Sequence, residues 1–129
     1  MKQFGIAVTI VAWIAFIACL VMPLDRSLIG WDVGLMAVST IPHFYGNLNA
    51  LSDAFVGLGN IAMLLLPLAI YVNKKFFYAF LTIFFFIETW VATTYYESDV
   101  LLGYYFWVAS FLLAAVGMAI LTNSFRRAQ

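Results

Sequence analysis

The chain has 129 residues, 66% of them hydrophobic and 9% charged, and its six basic and six acidic side chains balance to no net charge. Soluble domains carry roughly a quarter charged residues, so this composition excludes a surface made for water, and the length allows one small domain spanning residues 1–129. The six basic residues are scattered and make no continuous patch for a nucleic acid, while the single Cys19 excludes an internal disulfide, a redox pair and a cysteine-based metal cluster.

The first apolar run extends from about Phe4 to Met22, after Lys2 and before Pro23. At 1.5 Å per residue it is long enough to cross ~30 Å of hydrocarbon. Phe16-Ile17-Ala18 makes a poor lipoprotein signal ahead of Cys19, so the run reads as a retained span. Its small residues, Gly5, Ala7, Ala12, Ala15 and Ala18, suit close packing against a neighbouring helix.

A long connection follows, residues 23–51. Leu28, Trp31, Leu35 and Val38 recur at helical steps and predict a short interfacial helix, with Ser27 as a cap and Trp31 as an anchor in the outer headgroup region. Pro42 ends it, and His43, Phe44 and Tyr45 again suit the membrane–water boundary. A lone histidine beside aromatic residues is expected to be an ordinary interfacial side chain, since a metal site needs three or four converging ligands.

A second span is expected from about Ser52 to Val72, with Asp53 in its first turn and a kink at Pro67. Asn73-Lys74-Lys75 is a tight turn that makes it the antiparallel neighbour of a third span, about Phe76 to Tyr95. Tyr96-Glu97-Ser98-Asp99 turns the chain into a fourth, about Val100 to Thr122, in which Ser110, Ala114 and Gly117 form a small-residue strip. The expected fold is an all-α membrane protein, four transmembrane helices in an antiparallel bundle plus the interfacial helix.

The charges are sorted by sign along this layout. Lys2, Lys74, Lys75, Arg126 and Arg127 fall at the two ends and in one turn, whereas Asp25, Asp32, Asp53, Glu97 and Asp99 fall in the other two connections with Arg26 the one basic residue among them. Basic segments stay on the cytoplasmic side, so both termini are expected inside a bacterial inner membrane.

Glu88 is the ionisable group placed inside a span. Counted from the ends of their spans, Glu88, Asn60 and Ser110 fall at similar depth and predict one buried polar layer, with the carboxyl as a neutral hydrogen-bond donor. Phe84, Phe85 and Phe86 point in three directions around their helix, so at least one faces away from the bundle. With Trp31, His43, Phe44, Tyr45 and Trp107, Phe84 and Phe85 are the candidate contacts for a partner.

The stretch Gly103-Tyr104-Tyr105-Phe106-Trp107-Val108-Ala109-Ser110 resembles the start of the last helix in a group of small bacterial four-span inner-membrane proteins. The resemblance covers that motif and the layout, and it implies no activity. The first span lacks the glutamate of the small multidrug transporters, the glycine-rich and arginine motifs of fluoride channels are missing, and so is the cysteine pair of claudin-like proteins.

No His-Glu-x-x-His, no Gly-x-Ser-x-Gly and no second histidine or cysteine is present to assemble a nucleophile with its base, so no enzyme activity and no cofactor are expected. The favoured expectation is a non-catalytic subunit or regulator that binds membrane lipids and another integral membrane protein, with homo-oligomers left open. Two alternatives stand beside it: an immunity protein against a pore-forming toxin, and a small proton- or cation-coupled transporter or channel using Glu88.

Overall fold

A computed structural model describes residues 1–23, 30–43, 48–95 and 101–127. Every described element is helical: α1 (Lys2–Val21), α2 (Gly30–Ser39), a single 3-10 turn (Ile41–His43), α3 (Leu48–Leu64), α4 (Leu66–Val72), α5 (Lys75–Thr93) and α6 (Leu102–Arg127). Three of them, α1, α5 and α6, are long and apolar enough to cross a membrane, and α3 with α4 makes a fourth if the bent pair is one span.

α6 is the organising helix, packing along α1 and along α5, and its ten buried residues occupy two faces. On α1 the buried positions are Gly5, Thr9, Ala12, Phe16 and Cys19, a four-three spacing that keeps one stripe turned to a neighbour. Most of that stripe is small, and the backbones approach closely: a methyl group at Gly117 would overlap the Thr9 hydroxyl. The ends of the pair are tied as well, because the Gly103 N–H donates to the Pro23 carbonyl at 3.1 Å. Phe16 then meets Phe111, ring centres 6.4 Å apart, and Phe111 stacks on Phe85 of α5 at 6.3 Å, so one aromatic column joins the three long helices.

The second apolar run starts earlier than its charge pattern suggests. No proline or glycine stands between Leu48 and Asp53, so the helix runs through this stretch and Asp53 lies beyond the first turn. It breaks at Leu65, where α4 departs at 60°. Pro67 is the cause: it has no N–H to offer Met63 and its ring collides with the preceding turn, so it sits instead in the opening turn of α4. α4 ends at Asn73 in the left-handed conformation (φ 53°, ψ 47°), which asparagine tolerates better than most residues. The Tyr78 hydroxyl reaches back from α5 to the Ile70 carbonyl at 3.2 Å and pins this turn.

α2 packs against α3. Of its expected apolar face, Leu35 is exposed and Val38 half-buried, while Leu28 and the capping Ser27 lie outside the described residues. The face is divided because α2 turns Ala37 and Val38 inward and leaves Leu35 and Met36 outward.

Candidate functional site

Positions Tyr78, Leu81, Phe85, Glu88 and Ala92 form the buried stripe of α5. Glu88 therefore points inward for the same reason that Phe85 does, by helical spacing, and is 0% exposed. Its carboxyl lies against Gly59 of α3, where an added methyl group would overlap it. The absence of a side chain at residue 59 is what makes room for the acid between the two helices.

Neither Glu88 oxygen has a hydrogen-bond partner, although both are buried. This is unusual, since buried polar atoms in native proteins are almost always paired. The Trp13 indole nitrogen of α1 is the other such atom among the described residues.

Asn60 and Ser110 are buried like Glu88, so the three side chains of the expected polar layer all lie inside. Their bonds run elsewhere. Trp107 Nε1 donates to Asn60 Oδ1 at 3.0 Å, and Ser110 Oγ donates to the Trp107 carbonyl at 2.6 Å. Asn60 and Ser110 are thus joined through one tryptophan of α6, and the Glu88 carboxyl is bypassed.

Two polar contacts cap this region towards the ends of α3 and α5. The Tyr95 hydroxyl, just past α5, donates to Asp53 Oδ1 of α3 and lies 3.2 Å from Ser52 Oγ. Tyr104 of α6 donates to the Ala92 carbonyl at 2.8 Å. The rings of Tyr95 and Tyr104 each pack on Trp107, with centres 6.4 and 6.0 Å away.

Two of the residues expected to meet a partner are interior instead. Trp107 is 7% exposed, held by Asn60 and edge-on to Phe111, because α6 is flanked by α1 and α5 on both sides. Phe85 lies on the buried stripe with Glu88. Phe84 is half-buried against Phe55 of α3, ring centres 5.4 Å apart. Trp31 falls in α2 and His43 in the 3-10 turn, and Phe44 and Tyr45 lie outside the described residues. The exposed face of α5 carries Phe76, Phe80 and Trp90 with Ile83 and Ile87, flanked by Phe77 and Phe86, which are exposed as well.

Sequence reasoning missed Trp107 as a donor and Gly59 as the seat of the carboxyl. The second had a signal: a glycine next to a buried asparagine of an apolar helix, level with the one acid of its neighbour.

Among the described residues, no three of His, Cys, Asp or Glu converge as metal ligands would. What the site holds is a single enclosed carboxyl of α5 set against Gly59 of α3. No protein-family model, characterised protein or solved structure matches this chain.

Proposed function

We propose that the protein is a non-catalytic integral membrane subunit or regulator that binds another membrane protein through the outer face of α5. In this reading α1, the bent α3–α4 pair, α5 and α6 are four spans of one antiparallel bundle, with the basic termini and the Asn73 turn on the cytoplasmic side of a bacterial inner membrane.

The observation that carries the reading is the pattern on α5. Phe76, Phe80, Ile83, Ile87 and Trp90 are all exposed, at 87%, 60%, 63%, 48% and 75%, and they recur at alternating steps of four and three residues. That spacing keeps a stripe straight along a second helix wound against the first. The outer face of α1 repeats at the same spacing through Phe4, Ala7, Val11, Ile14 and Val21, but Phe4 is its one exposed aromatic residue, so what sets α5 apart is the row of rings. Large aromatic side chains in a row supply contact area and shape, which matter between helices in hydrocarbon because apolar burial there brings no gain from water.

A photo-crosslinking residue at position 80 or 90, compared with one at position 14, tests this in intact cells. The expected outcome is a discrete protein adduct from the α5 positions and only lipid adducts from position 14. An adduct of twice the chain's mass would make the partner a second copy. Lipid adducts alone from all three positions would overturn the proposal.

A further inference from the structure

We propose that Glu88 is a proton-binding site that exchanges with one side of the membrane only, the side of Asp53 and Tyr95. The inference goes beyond partner binding and stands whether or not a partner exists.

The first support is the unpaired carboxyl. Glu88 is enclosed, with both oxygens unpartnered and Gly59 against them. An ionised carboxylate in that position would have neither water nor a counter-charge, which is strongly disfavoured. The groups that face it from the helices packed on α5 supply no cation. α3 carries one titratable side chain, Asp53. α6 carries Tyr104 and Tyr105 near its start and Arg126 and Arg127 at the opposite end. On α5 itself Lys75 is thirteen residues from Glu88, ~20 Å at helical rise, and Tyr78 is turned to the Asn73 turn. The resident counter-ion of this carboxyl is therefore its own proton.

The second support is the asymmetry of what lies on either side. Towards the Asn73 turn, each of the three helices presents buried apolar residues to the common core: Phe85 and Leu81 on α5, Met63 and Leu66 on the α3–α4 pair, Phe111 and Met118 on α6. The hydroxyls of Thr82 and Ser110 near that layer are each bonded to a backbone carbonyl of their own helix. In the other direction stand the Asn60 amide, the Trp107 indole and the Tyr95–Asp53 pair, with Tyr95 and Asp53 only partly buried. Polar groups of this kind can line a path for water, which the apolar layer cannot. A site open to one side and sealed on the other reports the proton concentration of that side and conducts nothing.

Loss of the proton has a structural consequence. The charged carboxylate must be hydrated, and hydration at Gly59 requires α3 to move away from α5 on the Asp53 side. The proton thus holds the two helices together.

The test uses a membrane-soluble carbodiimide, which adds to neutral carboxylic acids, on the full chain in right-side-out and inverted vesicles prepared from the same cells. Peptide mass spectrometry of the unmutated protein locates the adduct, and Glu88→Gln confirms its position. The expected result is modification of Glu88 at neutral pH. As the pH of the medium is raised past the midpoint, labelling falls about tenfold per unit in one vesicle orientation and changes less than about twofold in the other, the slope of a single site with one-sided access. The sensitive orientation is the one in which an Asn73→Cys thiol is hidden from the medium, a readout left clean because Cys19 is buried. No adduct at neutral pH, sensitivity in both orientations, or sensitivity with position 73 outward would each overturn the proposal.

Discussion

α1 against α6 and α3 against α5 are both close helix contacts built around glycine, yet they treat a buried polar group in opposite ways. In the first, the enclosed Thr9 hydroxyl donates to the Gly5 carbonyl of its own helix at 2.9 Å, so this hydroxyl is paired without reaching across the contact. In the second, Gly59 admits a carboxyl that has no partner at all. A threonine can turn back on its backbone within one helical turn, whereas a glutamate is too long to do so and must find its partner across the interface. The difference teaches that small residues set how near two helices come, while the polar group decides whether the contact is purely structural or responsive to its surroundings.

Four substitutions sharpen or break this comparison. The largest effect is expected from Gly117→Leu, which drives a branched side chain into Thr9 and the α1 backbone. It should cost about 3 kcal/mol or more, because neither backbone can retreat from an overpacked contact, and reversible unfolding in mixed micelles would measure it. An unchanged unfolding midpoint would mean that α1 does not pack on α6 there.

Next comes Gly59→Ala, expected to cost about 1–2 kcal/mol, because the Glu88 carboxyl it meets ends a flexible side chain that must shift within an enclosed site. In a Glu88→Ala background the same change should cost close to nothing, giving a coupling of ~1–2 kcal/mol in a double-mutant cycle. Additive losses would show that the two residues do not meet.

The smallest effects separate the two polar groups. Glu88→Met keeps the length of the side chain and removes two unpaired oxygens, so stability should rise by about 1 kcal/mol. Thr9→Val, which removes a satisfied hydroxyl, should lower it by about 0.6 kcal/mol. The same unfolding assay reads both, and a loss with Glu88→Met would reveal a hydrogen bond that the carboxyl makes in the membrane.

Much of this was legible in the chain itself. The apolar runs announce the long helices, Pro67 the break, and the Asn73-Lys74-Lys75 turn the proximity of α3 and α5. Glu88, Asn60 and Ser110 stand out because polar residues are rare in such runs. The face each residue presents was harder to read. Phe85 and Trp107 look like surface anchors in a helix that is apolar all round, because lipid and core select the same side chains and the usual amphipathic contrast is lost. Trp107 in particular could be assigned inward only once α6 was seen between two neighbours.

Composition and spacing alone determined that this chain is helical and suited to hydrocarbon, because those properties depend on the number and period of apolar residues. Three-dimensional packing decided that the first and last helices lie side by side, that Asn60 accepts from Trp107 while Glu88 is left unpaired, and that one glycine seats the acid. Those facts join residues far apart in sequence, and no local pattern encodes which distant backbone will come within reach of a side chain.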